Sequence, residues 1–557
     1  MEQTYDVIVV GAGGAGMTAA LTAAHQGLST VVLEKSGYFG GSTARSGGGV
    51  WVPGNRALKA AGQVDADDAE QAKLYLQSIV GDAVPAVRRD TFIDRGPEML
   101  EFVLDHTPLR LAWVPEYADY LPEQPGGRAR GRSVEPVPMD GRILGEELRR
   151  LHPPYTKAPA NLIVTQADFR KISLGPLRTF RAARTMIRIL LTKAVNTLRG
   201  RKMFAMGNAL TISLRKGLQD AGVVVEYDTE LTDLIVEDGR VVGVRAIRTG
   251  QGSHGEQIDV RATRAVILGA GGFEKNEAMR TKYLPSPTDP DWSTASQFNT
   301  GAAIEAGAAV GAALDLMDDA WWGPTIPLPS GPWFCLAERN LPGSIIVNSA
   351  GQRFMNEALP YVEATHEIYR GEATGVSHVP AWMIIDQRYR NRYLFAGLSP
   401  RQPFPGRWYK HGAVVKAGSL SELADKIGVP ADGLTATIER FNDFADRGVD
   451  EDFGRGRSAY DQYYADPKVA PNPSLARIDQ GPFYAVKIVP GDLGTKGGIV
   501  TDERARALRP DGTVIEGLYA AGNCSAAVMG RTYAGPGATI GPAMTFGYLA
   551  ALDAAGR

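Results

Sequence analysis

Cysteine is scarce in this sequence, because its 557 residues include only Cys335 and Cys524. The two lie far apart and lack CxxC spacing, which argues against a disulfide framework or a zinc site and fits a reducing compartment. The formal net charge is -2, so no overall charge attracts nucleic acid. No apolar run reaches about 18 residues, and the first residues lack the basic stretch of a signal peptide. We therefore expect a cytoplasmic protein with no membrane-spanning helix and no bound metal.

Glycine, in contrast, is abundant at 65 residues, and its first cluster follows an apolar β-branched run at residues 6–10. There, Gly11, Gly13 and Gly16 form a GxGxxG turn that opens a helical segment at residues 17–26. In such turns the first glycine permits the tight bend, the second lets the backbone approach a pyrophosphate, and the third allows close helix packing. Glu34 ends the next strand, where its carboxylate can accept hydrogen bonds from ribose hydroxyls and disfavours a 2′-phosphate. The pattern predicts a dinucleotide-binding βαβ unit.

Three further features favour FAD over NAD as the dinucleotide. They are a second glycine-rich loop at residues 40–43, a buried strand that ends in glycines at residues 270–272, and Gly522-Asn523 near the C-terminus. The sequence has no second strong dinucleotide fingerprint that would serve NAD. The residues expected to contact the cofactor are Gly11, Ala12, Gly13, Gly14, Ala15, Gly16, Glu34, Lys35, Gly41, Ser42, Thr43, Ser46, Gly47, Gly48, Ala270, Gly271, Gly272, Asn299, Gly522, Asn523, Ala538, Thr539 and Ile540.

Cofactor-type sequence at both ends predicts one discontinuous domain closed around one ligand. We expect an α/β fold in which residues 1–298 and 491–557 form a Rossmann-like FAD-binding domain. Residues 299–490 are expected to form an inserted α+β catalytic domain that caps the flavin.

Residues 170–202 contain ten lysines and arginines, no acidic residue, and interleaved large apolar side chains. One interpretation is a basic amphipathic helix that makes peripheral contact with a membrane. The alternative is a solvated helix whose apolar side packs on the core. A shorter basic run, Arg128, Arg130 and Arg132, is expected to be a solvated face.

Residues 5–55 resemble the fumarate reductase-like flavoprotein superfamily. Within it, the stretches at residues 41–48, 113–127, 356–361, 490–498 and 530–544 resemble 3-ketosteroid Δ1-dehydrogenases, and the similarity covers nearly the whole chain. Some relatives carry a histidine in the second glycine loop that binds the flavin covalently. This loop offers Ser42 and Thr43 instead, so the resemblance implies non-covalent FAD.

The resemblance also implies a reaction, the removal of two hydrogens across carbons 1 and 2 of the A ring of a 3-ketosteroid. Tyr533 and the backbone N–H of Gly537 match the two donors to the 3-keto oxygen. Tyr361 matches the base that takes the proton from carbon 2, and Tyr120 matches the tyrosine that assists it. Many relatives have proline where Ala534 stands, so φ is less restricted at this position.

The physiological electron acceptor is not specified by the resemblance. A flat apolar steroid also needs an apolar wall, for which Trp321, Trp322, Phe334 and Phe354 are candidates. Three alternatives remain open: a fumarate reductase-like enoate reductase, a ketosteroid dehydrogenase that acts at carbons 4 and 5, and a non-catalytic flavin or steroid carrier. The seven histidines form no recognisable acid-clamp motif, which disfavours the first.

Overall fold

The computed structural model describes residues 3–66, 68–155, 162–175, 178–249 and 255–557. Residues 176 and 177 of the basic segment therefore lie outside the described residues. The largest sheet has five parallel strands at its centre, each paired with the next. In spatial order they are Val514–Ala520, Glu256–Leu268, Gln3–Val10, Thr30–Leu33 and Val224–Glu226. Arg506–Leu508 extends the sheet antiparallel at one edge, while Thr229–Glu237 and Arg240–Arg248 form a hairpin on Glu256–Leu268.

Buried β-branched side chains explain why these strands lie at the centre of the fold. Residues 7–9 and 31–32 are fully buried, as expected for parallel strands covered on both faces. The hairpin turns at Asp238-Gly239, where both residues have positive φ, as a two-residue type I′ turn requires.

Helices cover both faces of this sheet, and the N-terminal helix contacts the C-terminal one closely. The α-helices of this part are Gly14–His25, Gly41–Arg45, Arg56–Ala60, Asp68–Val80, Ala86–His106, Gln166–Ser173, Phe180–Leu198, Met206–Asp220, Glu277–Tyr283, Ala302–Ala309 and Ile540–Ala554. Short 3₁₀ segments are Gly81–Ala83, Gly141–Arg150, Pro290–Trp292 and Gly522–Cys524. Small antiparallel pairings join Val50–Trp51, Ser133–Pro136 and Leu111–Trp113, Met139–Asp140 with Met203–Phe204, and Leu314–Asp315 with Gly498–Ile499.

A second, antiparallel sheet forms the cap. Its strands, in spatial order, are Gly331–Phe334, Ala320–Leu328, Phe483–Thr495, Ala381–Asp386 and Ser344–Val347, with Val414–Ala417 also paired to Phe483–Thr495. The cap helices are Ala337–Asn340, Tyr361–Glu372, Gln387–Arg392, Gly406–Lys410, Leu420–Ile427, Ala431–Arg447 and Ala459–Tyr463. This α+β unit, inserted between two parts of the Rossmann-like sheet, confirms the predicted architecture.

The strand Phe483–Thr495 crosses the expected boundary at residue 490, and the helix Ala302–Ala309 contacts the strand Thr229–Glu237 of the larger sheet. The exact domain limits stay a prediction. In the part of the chain that the structure describes, every helix is too short or too polar to cross a bilayer.

Candidate active site

A cavity of about 1550 Å³ lies between the parallel sheet and the cap. Both chain ends line it, through the first glycine turn and through residues 522–543. Of the residues expected to contact the cofactor, all line this cavity except four. Those four are Ala12, Gly16, Gly272 and Ala538. The fold brings the other predicted residues together around this cavity, and their contacts with a cofactor stay predictions.

The first glycine turn has the geometry that the motif predicts. Gly11 has φ +101°, and a Cβ there would lie 2.6 Å from the oxygen of Gly269. A Cβ on Gly16 would lie 1.9 Å from the oxygen of Gly11, so Gly16 serves packing and not ligand contact. At Gly13 the nearest such atom is 3.9 Å away, which leaves room beside the start of the helix Gly14–His25. Backbone N–H groups at such a helix start suit a pyrophosphate.

Glu34 lies at the end of its strand with both carboxylate oxygens engaged by the protein. Oε2 accepts a hydrogen bond from the N–H of Ala12 at 2.8 Å, and Oε1 accepts from the N–H and the hydroxyl of Ser36. Burial raises the pKa of Glu34, and these hydrogen bonds oppose that shift. The carboxylate is thus fixed at the cavity wall, where an oxygen can accept from a further hydroxyl.

The second glycine loop is hydrogen-bonded to Ser296 and Asn299, which lie far from it in the sequence. The Asn299 amide nitrogen donates to Ser42 Oγ at 3.0 Å, and Ser42 Oγ also accepts from the N–H of Ser296 at 3.0 Å. Thr43 Oγ1 accepts from the N–H of Gly14 at 3.2 Å, which ties this loop to the first glycine turn. Residues far apart in sequence therefore form one polar wall.

Three of the predicted catalytic residues are tyrosines that converge at the cap side of the cavity. Tyr120 donates a hydrogen bond to the hydroxyl of Tyr361 at 2.9 Å. The ring centroids are 5.3 Å apart for Tyr120 and Tyr361, 5.1 Å for Tyr120 and Tyr533, and 5.5 Å for Tyr361 and Tyr533. All three side chains line the cavity and are nearly buried.

Backbone contacts hold these tyrosines in place. Tyr361 is the first residue of the helix Tyr361–Glu372, directly after Pro360, whose fixed φ favours a helix start. The oxygen of Ala534 accepts from the N–H of Tyr120 at 3.0 Å and from the Tyr75 hydroxyl at 2.8 Å. The loop that carries Tyr533 is therefore anchored although the residue after this tyrosine is an alanine and not a proline.

The fourth residue, Gly537, has a conformation that suits glycine. Its φ is +98°, and a Cβ would lie 2.4 Å from the backbone of Gly49. Thr539 Oγ1 donates to the hydroxyl of Tyr533 at 2.9 Å. Burial raises the pKa of Tyr533, while hydrogen bonds from Thr539, Tyr361 and the Gly537 N–H oppose this shift. The Tyr533 hydroxyl and the Gly537 N–H thus meet at one point.

The hydroxyl of Tyr361 is the acceptor in its bond with Tyr120. Burial raises the pKa of Tyr361 well above its usual value, and the hydrogen bond from Tyr120 opposes that shift. Hydrogen bonding to the charged form is the way in which a neighbour favours a tyrosinate. Tyr120 can therefore stabilise the ionised form of Tyr361.

Sequence reasoning missed part of the aromatic wall. Tyr117 and Tyr464 also line the cavity, and Tyr117 stacks on Tyr463 with ring centroids 4.0 Å apart. Tyr460 packs edge-on against Tyr120 at 5.1 Å. The tyrosine-rich run at residues 460–464 was the available signal, but no motif connected it to Tyr117.

A buried lysine was also missed. Lys496 is fully buried, pairs with Asp319 at 3.1 Å, and donates to the oxygen of Thr532 at 3.1 Å, one residue before Tyr533. It lies 4.9 Å from the ring centroid of Trp321, and this ring contacts Tyr533 at 4.8 Å.

Two expectations need correction. Arg132 is not on a solvated face, because it is 1% exposed and pairs with Asp119 and Asp68. This ion pair holds Asp119, which accepts from the indole of Trp51 at 2.9 Å, beside Tyr120.

Of the four candidate wall aromatics, Trp321 and Phe334 line the cavity. Trp322 packs in the core with Tyr369, and Phe354 packs against His378.

The chain is similar to known flavoproteins and dehydrogenases over nearly its whole length. A family model described as FAD binding domain matches residues 6–540. A 3-oxosteroid 1-dehydrogenase of Mycolicibacterium smegmatis is 58% identical over 99% of this chain and 97% of its own. A Mycobacterium tuberculosis protein of the same name is 55% identical over 100% and 99%. The chain belongs to the FAD-dependent 3-ketosteroid Δ1-dehydrogenase family. A crystal structure of the family member from Sterolibacterium denitrificans, in complex with 1,4-androstadiene-3,17-dione, superposes with a TM-score of 0.93, at 38% identity and full coverage of both chains.

The predicted FAD cofactor is thereby confirmed, and the cavity of this flavoprotein fits it. Its volume exceeds what a single small substrate requires, and the backbone N–H groups of its glycine-rich lining are the kind of donor that phosphates need. Among the described residues, no group of three or more His, Cys, Asp or Glu side chains is arranged to hold a metal ion.

Proposed function

We propose that this flavoprotein removes the hydrogens from carbons 1 and 2 of the A ring of 3-ketosteroids, in steroid catabolism. The observation that carries the proposal is that the rings of Tyr120, Tyr361 and Tyr533 contact one another in one cavity, with the hydroxyls of Tyr120 and Tyr361 hydrogen-bonded. The names of the two relatives that are 58% and 55% identical to this chain support the same reaction.

Two donors bind the 3-keto oxygen. The Tyr533 hydroxyl accepts from Thr539, so its own proton is available for the substrate. The N–H of Gly537 adds the second hydrogen bond. Negative charge develops on this oxygen as the proton leaves carbon 2, and each such donor is worth about 3–4 kcal/mol in the transition state.

Tyr361, ionised as a tyrosinate that Tyr120 stabilises through the 2.9 Å hydrogen bond, takes the proton from carbon 2 and becomes a neutral tyrosine. FAD, when bound, accepts the hydride from carbon 1. Glu34, Asn299 and the two glycine turns would hold the cofactor. Trp321 and Phe334 supply apolar surface for the steroid.

The regiochemistry is tested with a 5α-reduced 3-ketosteroid, in which both the 1,2 and the 4,5 positions are saturated. We expect a 1-ene product, identified by NMR, together with bleaching of the flavin. A 4-ene product would assign the protein to the carbon-4,5 reaction. Reoxidation of the reduced enzyme by fumarate, without steroid turnover, would favour the reductase alternative.

The basic segment is proposed as a contact with an anionic membrane surface. On the helix Phe180–Leu198, the buried residues are Ala182, Thr185 and Ile189. Six other apolar side chains of this helix are exposed, with exposed fractions of 83% for Phe180, 58% for Ile187, 50% for Leu190, 62% for Leu191, 44% for Val195 and 88% for Leu198. This disfavours the alternative in which the apolar side packs on the core.

The charges around that face match a negatively charged lipid surface. Arg181, Arg184, Arg199 and Arg201 carry positive charge on or next to the helix, and the segment has no acid of its own. Such a helix lies in the membrane interface with its apolar side inserted. Asn196 and Thr197, on the same helix, line the cavity, so a steroid dissolved in the bilayer would have a short path to the site.

A further inference from the structure

A fully buried carboxyl group, Glu274, lies directly behind the cofactor wall. It follows the glycine turn that ends the strand Glu256–Leu268, and its side chain has no exposed surface. Its Oε1 accepts a hydrogen bond from the Asn299 amide nitrogen at 2.6 Å, and its Oε2 accepts from the N–H of Thr495 at 3.4 Å. Glu274 does not line the cavity, whereas Asn299 does.

The bonds of Asn299 define the orientation of its amide. The amide nitrogen donates to Glu274 at 2.6 Å and to Ser42 Oγ at 3.0 Å. Both N–H donors of the amide are then engaged within the protein. The oxygen of the amide is then the group left to interact with a ligand. It lies beside Gly271, because a Cβ on Gly271 would be 2.8 Å from this oxygen. A carboxylate only accepts hydrogen bonds, so it fixes which end of the amide faces it.

We infer that Glu274 is a positioning residue for FAD, because it holds the Asn299 amide with its oxygen available to an N–H or O–H donor of the cofactor. The cofactor offers such donors on its ring system and on its ribityl and ribose hydroxyls. This role of Glu274 in cofactor binding is independent of the roles proposed for the tyrosines.

The charges around Glu274 make this arrangement sensitive to pH. Asp492, which is fully buried, faces it from the strand Phe483–Thr495. Arg280, from the helix Glu277–Tyr283, donates to the backbone oxygen of Glu274 at 3.1 Å and pairs with Asp492 at 2.7 Å. Lys275 is engaged with the oxygens of Pro290 and Ser293.

Burial, followed by repulsion from Asp492, raises the pKa of Glu274 to about 7. The carboxyl therefore changes charge near neutral pH. Above this pH the ionised group holds the amide through a charge-assisted bond, and below it the hold weakens. The orientation of Asn299 is thus expected to be better defined at pH 8 than at pH 6.

The test measures how fast FAD leaves the diluted holoenzyme, through the rise of free flavin fluorescence. The Glu274→Gln variant keeps the shape of the side chain and an acceptor oxygen but not the charge. At pH 8 we expect it to release FAD about tenfold faster than the wild type, from the loss of a charge-assisted bond. The exposed Glu277→Gln, three residues away, is the matched control and should release FAD at the wild-type rate.

A double-mutant cycle with Asn299→Ala identifies the route of the effect. If Glu274 acts through the amide, Glu274→Gln has little further effect on FAD release in the Asn299→Ala background. Two results would overturn the inference. One is that Glu274→Gln releases FAD at the wild-type rate at pH 8, and the other is that Glu274→Gln has the same effect on FAD release with and without Asn299.

The wild-type holoenzyme provides a second measurement if Glu274→Gln does not fold. Its FAD release should accelerate as pH falls from 8 to 6, with a midpoint near the pKa of about 7, and this dependence should be lost in Asn299→Ala. Release that is independent of pH over this range, or a dependence that persists in Asn299→Ala, contradicts the inference.

Discussion

The hydroxyl of Tyr120 donates to the hydroxyl of Tyr361 across 2.9 Å. This bond joins a loop of the FAD-binding part to the first residue of a cap helix, so the pair proposed as base and helper is formed by both parts of the fold. A buried phenol is a poor base unless a neighbour stabilises its anion, and Tyr120 is placed to do so.

Replacing the proposed base should greatly slow the reduction of the flavin by a steroid while leaving the cofactor bound. Tyr361→Phe is expected to lower the rate of flavin bleaching by a 3-ketosteroid by about 10²–10⁴-fold, because no general base remains. Tyr120→Phe should give a smaller loss. The measurement is anaerobic stopped-flow absorbance of the yellow protein. Tyr484→Phe is the control, since its hydroxyl donates to Gln387 at the start of the cap helix Gln387–Arg392, and it should bleach at the wild-type rate.

Replacing the donor to the ketone should act on the transition state. Tyr533→Phe is expected to lower kcat by about 10²–10³-fold, with a smaller change in KM, since the oxygen gains its charge only as the reaction proceeds. Steady-state kinetics with an artificial electron acceptor measure both constants. A KM increase with an unchanged kcat would mean that Tyr533 only binds the steroid.

The pH profile should follow the base. Because the pKa of Tyr361 is raised by burial, its ionised fraction is small at neutral pH and grows as pH rises. The rate of flavin reduction is therefore expected to increase between about pH 6 and pH 9. A bleaching rate that falls over this range, under conditions where the protein stays folded, would argue against a tyrosine base.

The buried pair of Asp319 and Lys496 should contribute stability that depends on pH. Burial alone would raise the pKa of Asp319, but Lys496 and His366 outweigh it and lower the pKa to about 2. The contribution is therefore present above the usual carboxyl pKa of about 4 and is lost as pH falls towards 2. Burial also lowers the pKa of Lys496 in spite of Asp319, so the net gain from the pair is smaller than Asp319 alone suggests.

Asp319→Asn is expected to lower the free energy of unfolding by about 3 kcal/mol at neutral pH, because it leaves a buried lysine unpaired. Urea denaturation at several pH values should show this difference shrinking as pH falls. Adding Lys496→Met should recover part of the loss. Equal stability of Asp319→Asn and wild type at pH 7 would exclude this role.

Membrane contact is tested by co-flotation with vesicles. Binding is expected to vesicles that contain phosphatidylglycerol and to be weak with phosphatidylcholine alone. The double variant Leu191→Ser, Val195→Ser should lose it. Val224→Ser, Val236→Ser is the matched control, with exposed fractions of 52% and 45% on the larger sheet. Equal binding of both variants would place the contact elsewhere.

The sequence was informative wherever a local motif specifies geometry. The turn at Gly11, Gly13 and Gly16 and the strand-bounded hairpin at Asp238 were predictable because steric limits on φ are local. The cap was predicted as a block, but its sheet order depends on contacts between distant segments. The convergence of Tyr120, Tyr361 and Tyr533 came from family resemblance, since no spacing rule connects positions so far apart.

Burial of charge was the least predictable feature. Arg132 and Lys496 look like ordinary surface cations in the sequence, yet both are buried against carboxylates. Glu274 likewise follows a glycine turn with nothing in its local sequence to mark it. Such groups are recognisable only when the partners that compensate for lost hydration are known.

The central claim is tested most directly by anaerobic mixing of the purified yellow protein with a 3-keto-4-ene steroid, followed by product identification. We expect bleaching of the flavin and formation of the 1,4-diene in equal amount, with both about 10²–10⁴-fold slower in Tyr361→Phe. A flavin that stays oxidised in the wild type, or that bleaches equally in Tyr361→Phe, would contradict it.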